Sequence, residues 1–145
     1  MLALQLLATF SAALFAGAAL YISLVEHPAR MQLETRIAAA QWAPSYARAT
    51  WMQAPLALLS FLAGTTSWLM GAGAAWLIAA LLIGAVVPFT LVVIHPTNHQ
   101  LLDPTHHRSS AETRVLLERW GRLHAVRTGL SLAAAATYLL SLSRA

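Results

Sequence analysis

Trp120, His124 and Arg127 stand at i, i+4 and i+7, so a helix would carry them on one stripe, with Thr128 and Ser131 extending its polar edge. Imidazole accepts or donates a proton near neutrality, guanidinium stabilises developing negative charge, and indole offers a flat face for an aromatic molecule. Glu26 and His27 are adjacent and followed by Pro28-Ala29-Arg30. They read either as a ligand or proton-transfer pair, or as Glu26 pairing with Arg30 while His27 sits in a headgroup layer. Asn98 follows His95-Pro96-Thr97 and could cap, hold a loop or donate to a ligand. Gln41, Trp42, Tyr46, Trp51 and Gln53 bring polar and aromatic groups together, either as a membrane belt or around a substrate. His106-His107 is a weak metal signal. His27, His124 and Glu26 would suit haem iron, copper or non-haem iron better than calcium or magnesium.

The elements that must position these groups follow from composition. The chain has 145 residues, is 59% hydrophobic and only 10% charged, and its pI near 10.7 rests on nine arginines without a lysine. A soluble domain of this size could not bury so much apolar side chain, which excludes a soluble enzyme, a nucleic-acid binder and a disordered chain. Absence of cysteine excludes disulfides, thiolate metal sites and thiol nucleophiles. No Walker, GxGxxG, HExxH or GxSxG motif is present.

Four stretches, about 2–25, 51–70, 74–94 and 121–142, are apolar and long enough to cross a bilayer. The expectation is one all-α integral membrane domain over 1–145. It is an antiparallel four-helix bundle, with Gly71-Ala72-Gly73 as a tight hairpin link and a short interfacial helix over 31–42 ending before Pro44. The first stretch lacks a basic leader and is read as a retained helix rather than a signal peptide. Ser109-Ser110-Ala111-Glu112 reads as a capping box that starts the fourth helix near 110. Eight arginines, Arg108 among them, fall on the side of the two long loops, and only Arg144 falls on the other. The positive-inside rule then makes the loops cytoplasmic and both termini extracytoplasmic, as in a bacterial inner membrane. Every histidine and every acidic residue shares the loop side. Gly121, Ala125, Gly129 and Ala133 form a small-residue seam that permits close helix contact and would allow a homodimer.

Residues 14–30 (LFAGAALYISLVEHPAR), Trp42-Ala43-Pro44-Ser45-Tyr46, Val87-Pro88-Phe89-Thr90 with Pro96-Thr97-Asn98, and Trp120-Gly121-Arg122-Leu123-His124-Ala125-Val126-Arg127 together resemble the anthrone oxygenase-like family. The resemblance covers almost the whole chain in order. It implies a small four-helix membrane protein and, by analogy with members that oxidise anthrones with O₂, an oxidoreductase of lipophilic anthrone-, phenol- or quinone-like molecules. It supports Glu26, His27, Pro28, Tyr46, Asn98, Trp120, His124 and Arg127 as site residues, and does not support His95. In that reading His124 or His27 deprotonates the substrate, Arg127 and Asn98 stabilise the oxyanion, and Trp120, Tyr46 or Trp42 binds the ring. Two other functions stay open: a haem- or copper-binding protein ligated by His27 and His124, and a non-enzymatic binder or scaffold.

Overall fold

A computed structural model describes residues 1–107 and 109–144; Arg108 lies outside the described residues. It is all-helical, with no strand among the described residues. Four helices are long and apolar enough to span a membrane: α1 Leu2–Arg30, α2 Thr35–Ala72, α3 Ala74–Leu102 and α4 Ala111–Leu142. They run antiparallel, with the loops α1–α2 and α3–α4 at one end and the α2–α3 link at the other. In that link Gly71 and Gly73 have φ of 92° and 98°, a region open to glycine and costly to other residues.

The packing is inside-out relative to a soluble bundle. Leu24, Leu69, Val92 and Leu91 are among the most exposed residues, while the interior of the link-end half is built from Ala8, Ala12, Ala16, Ala79, Ala80 and Ala135. Alanines let backbones approach closely where no hydrophobic effect drives helices together in lipid. Serines join them: Ser60 Oγ donates to the Ala8 carbonyl at 2.9 Å, and the Tyr138 hydroxyl donates to the Ser60 carbonyl at 3.2 Å. Gly64 leaves room for that tyrosine, because a Cβ there would collide with its hydroxyl. The loop-end half is bulkier, with Trp42, Ile94, Leu101, Leu117 and Trp120 packed together.

Two local departures re-aim side chains at the loop end. In α1 a π-helical turn spans Ile22–Glu26, and the His27 N–H bonds to the Ile22 carbonyl, five residues back. In α3 the same happens over Thr90–Ile94, where the His95 N–H bonds to Thr90. Each turn immediately precedes a His-Pro pair. Proline has no N–H to return to the carbonyl four residues earlier, so the ladder widens by one residue. The next residues rotate accordingly, and His27 ends up buried.

Three details differ from the sequence reading. Within 31–42 the helix begins only at Thr35, and it is not a separate interfacial helix: Thr35–Ser67 is continuous through Pro44 and Pro55. Packing of Ala38, Ala39 and Trp42 against the loop-end core holds the helix across Pro44 despite the lost hydrogen bond. Helix α4 starts after Ser110, whose Oγ accepts from the Thr113 N–H at 3.1 Å, so the cap is Ser110–Thr113 rather than the Ser109–Glu112 box. Before it, Asp103 accepts from the Thr105 N–H and hydroxyl at 2.8 and 2.7 Å, which holds its carboxyl below the usual range. Finally, Ala125, Gly129 and Ala133 face outward; within the chain only Gly121 of that seam makes a close helix contact.

The Gly64–Tyr138 contact has a direct consequence. Gly64→Ala should destabilise the detergent-solubilised protein by about 1–3 kcal/mol through overpacking. Gly17→Ala, which meets nothing within 4 Å, should melt with the wild type. Equal melting temperatures for both variants would contradict this packing.

Candidate functional site

The loop-end half gathers polar groups from α1, α2 and α4 around Trp120. Its indole packs on His27 at 5.1 Å between ring centroids, stacks on His124 at 4.9 Å, and meets Trp42 edge-on at 5.8 Å. Trp42 in turn stacks on Tyr46 at 5.0 Å and 7°. The stripe Trp120, His124, Arg127 therefore points inward. Its two aromatic partners on α2 are spaced i, i+4.

On one side of Trp120 lies a closed polar latch. Arg30, 3% exposed, donates to Glu26, Gln41 and Ser45, and Ser45 donates to the same Glu26 oxygen. Arg30 Nη1 also lies 3.1 Å from His27 Nδ1. Guanidinium can only donate, so His27 accepts at Nδ1 and carries its proton on Nε2. That nitrogen faces α4 at Gly121, where a Cβ would lie 2.5 Å from it. Glu26 thus pairs with Arg30, while His27 is buried rather than placed among headgroups.

On the other side lies His124. Its Nδ1 is 3.1 Å from Ser23 Oγ, Ser23 is 2.8 Å from Thr128 Oγ1, and Thr128 reaches the carbonyls of Ala19 and His124, each at 3.2 Å. Carbonyls only accept, so Thr128 donates to them, Ser23 donates to Thr128, and His124 donates from Nδ1 to Ser23. With the one Thr128 hydrogen shared between the two carbonyls, this order of donors accounts for all four contacts. The neutral imidazole is left with an unprotonated Nε2 that makes no hydrogen bond to any described residue.

Three side chains away, Arg127 Nη2 donates to Gln53 Oε1 at 2.8 Å, with its guanidinium carbon 5.4 Å from the centre of the Phe15 ring. Among the described residues Arg127 has no carboxylate partner. Its Nε, the Gln53 Nε2 and the Trp42 Nε1 are buried without any partner.

Three spaces adjoin these groups. An inner cavity of about 10 Å³ is bordered by Arg30, Trp42, Gln53, Trp120, His124 and Arg127. A cleft of about 170 Å³ between α2 and α3 is lined by Phe15, Tyr46, Gln53, Val86, Thr90, His95 and Arg127, and opens past exposed Leu91 and Val87 onto the apolar outer surface. A vestibule of about 310 Å³ at the loop end is lined by Tyr46, His95, Asn98 and His99. α3 is interrupted at Ala85, between Gly84 and a short turn Val86–Phe89 that holds Pro88, and Val86 and Val87 of that turn line the cleft.

Asn98 is buried on the vestibule side and does not line a cavity with Arg127; Gln53 holds the place expected of it. Nor do Glu26, His27 and His124 form a ligand set. Arg30 occupies Glu26 and His27 Nδ1, Gly121 closes off Nε2, and the Trp120 ring packs against both imidazoles. No three His, Asp or Glu side chains among the described residues converge. The donor set does not fit haem or copper. Gln53, Thr128 and Arg30 were noted from sequence without a role at the site, and Ser23 and Ser45 carried none beyond their place in the family-like segments; a glutamine and an arginine inside apolar helices are the signal that finds the pair Gln53 and Arg127.

The sequence profile named anthrone oxygenase matches residues 42–137, from Trp42 through the Trp120–Arg127 stripe. The chain belongs to the anthrone oxygenase family. Over 74 residues it is 39% identical to the anthrone oxygenase tpcL of Aspergillus fumigatus, covering 49% of this chain and 46% of that protein. The match thus spans about half the length of the curated relative. No solved structure matches the chain.

The hydrogen-bond order around His124 is open to measurement. In ¹⁵N NMR at neutral pH, His124 should show a protonated Nδ1 and a free Nε2. Thr128→Val should release Ser23 and mix the two tautomers. A wild-type protein protonated at Nε2 would refute the assignment.

Proposed function

We propose that this chain is a membrane oxygenase that takes a proton from a flat, lipophilic hydroxyaryl substrate of the anthrone type and lets the resulting anion react with O₂. Family membership supports oxygenase chemistry. The observation that carries the reading is the pairing of an unprotonated, positioned His124 Nε2 with an Arg127 guanidinium that no described carboxylate compensates, around one small cavity.

The substrate would enter the α2–α3 cleft sideways from the bilayer, its rings against Phe15, Val86 and the Tyr46 face. His124 does not line that cleft. The cleft and the inner cavity share Tyr46, Thr50, Gln53 and Arg127, so the reacting edge of the substrate would sit at this common wall. His124 would accept the proton there as general base, assisted by movement of the wall side chains. Arg127, held by Gln53, would stabilise the negative charge spreading onto the substrate oxygen. Ser23 and Thr128 act on His124 as positioning residues. In the membrane the arginine distribution supports cytoplasmic loops and extracytoplasmic termini. The outward seam of Ala125, Gly129 and Ala133 would allow a homodimer.

Purified protein given an anthrone should consume oxygen faster than buffer and form the anthraquinone. His124→Ala should lower the rate by roughly 10²-fold or more. No consumption above buffer by folded wild type, or a full rate in His124→Ala, would leave a lipophilic-molecule binder without catalysis as the reading.

A further inference from the structure

The backbone of α3 presents a histidine that takes no part in proton transfer or charge stabilisation. Thr90 lines the α2–α3 cleft, and in an unbroken α-helix the residue one turn further on that face would be Ile94. The π-helical turn Thr90–Ile94 adds a residue to that circuit. The His95 N–H therefore bonds to the Thr90 carbonyl, and His95 takes the place over the cleft. Ile94 turns instead into the loop-end core with Trp42 and Trp120 and is 1% exposed. His95 stays exposed and has no hydrogen-bond partner among the described residues.

The threonines and the glutamine of the cleft are already committed. Thr50 donates to the Tyr46 carbonyl at 2.9 Å and Thr90 to the Val86 carbonyl at 2.6 Å. Gln53 Oε1 accepts from Arg127, and its Nε2 is buried. His95 and the Tyr46 hydroxyl remain; that hydroxyl also bonds to no described residue and is not one of the buried atoms without a partner. Both side chains border the vestibule as well as the cleft, so they mark the loop end of the cleft. Tyr46 lies seven residues before Gln53, about 10 Å along α2 from the level of Arg127. At its other end the cleft is walled by Ala57, Val86 and Val87. The cleft is thus apolar at one end, charged at its middle and supplied with free hydrogen-bonding groups at the other.

We infer that His95 is a specificity-determining residue, binding a hydroxyl on the outer ring of the aromatic substrate at the loop end of the cleft. This rests on the reading of the cleft as the substrate site. A neutral imidazole has one donor and one acceptor nitrogen, and a hydroxyl likewise donates and accepts, so the two are complementary in either tautomer. The Tyr46 hydroxyl borders the same end and offers a second partner to the same oxygen. The vestibule beyond carries Asp103, whose carboxylate opposes a second anion there and favours a neutral hydroxyl over a carboxylate. The offset from Arg127 places that hydroxyl on the far edge of a ring rather than beside the reacting oxygen. The substrate is amphipathic along its length, its apolar end toward Ala57 and its hydroxylated end toward the loops. His99, one turn on and 6.3 Å from His95 between ring centroids, lines the vestibule but not the cleft.

Quinones test the site without turnover. Anthraquinone and 2-(hydroxymethyl)anthraquinone lack the oxidisable central CH₂, and the second adds one hydroxyl at the end of an outer ring. In tryptophan-fluorescence titrations, detergent-solubilised wild type should bind the hydroxymethyl compound roughly fivefold tighter, the scale of one neutral hydrogen bond. His95→Leu should bind both alike, His95→Gln should keep part of the preference, and His99→Leu should keep all of it. Anthraquinone-2-carboxylate should bind wild type no tighter than the hydroxymethyl compound. An undiminished preference in His95→Leu with wild-type melting would overturn the inference, and a tighter carboxylate would overturn the choice of a neutral group. Wild type that oxidises anthrone but shows no preference would overturn the assignment of His95 while the oxygenase reading stands. A His95-dependent preference in a protein that consumes no oxygen with anthrone would overturn the oxygenase reading and leave His95 as a binding residue.

Discussion

An arginine inside an apolar helix constrains everything around it. Arg127 lies six residues into the fourth apolar run, about 9 Å along the helix from its start. A guanidinium at that depth is expensive, and its cost falls only when it faces polar partners inside the bundle. Gln53 on α2 meets it, and the Phe15 ring covers one side. That contact links α2 to α4 beside the Phe15 ring. The residual charge, unmatched by a carboxylate, is what an oxygenase needs and what a purely structural bundle would avoid.

A second arginine is treated in the opposite way. Arg30 spends its donors on Glu26, Gln41, Ser45 and His27, and its charge is cancelled by Glu26. It fastens the end of α1 to α2. The two arginines flank the Trp120–Trp42 pair, one saturated and one open. The division accompanies a difference between His27 and His124, both buried histidines beside the same indole. His27 has Nδ1 committed to a cation and Nε2 sealed by Gly121. His124 has Nδ1 committed to neutral hydroxyls, and its Nε2 is free.

Much of this was legible in the chain itself, because spacing reveals a single helix face. The Trp120–His124–Arg127 stripe, the four apolar runs and the hairpin glycines are all local patterns. Gln53, Ser23 and Thr128 acquire meaning only across helices: Ser23 and Thr128 are 105 residues apart and meet at 2.8 Å. The 31–42 segment was misread for a related reason. A proline usually ends a helix, yet the burial of Trp42 and Ala38 in a core assembled from all four helices carries α2 through Pro44. Asn98 lies close in sequence to His95, which does line the cleft with Arg127, but its side chain is buried on the vestibule side, a separation that spacing along one helix cannot show.

The prolines then connect fold to access. Pro28 and Pro96 each follow a π-helical turn that adds one residue to the helical circuit, while α3 is interrupted at Ala85, just before the short turn that holds Pro88. At Gly84 the two helices approach closely, since a Cβ there would lie 2.7 Å from the Phe61 ring. An apolar groove of about 460 Å³ along Phe61, Leu81 and Pro88 adjoins the cleft, sharing Ala57 and Val87 with it. A lipophilic molecule can therefore approach along a surface that never leaves the apolar phase and meet its first charge only at the reacting end. On the proposed function the membrane would supply the substrate, and the interruption of α3 would set where along the bundle it meets polarity.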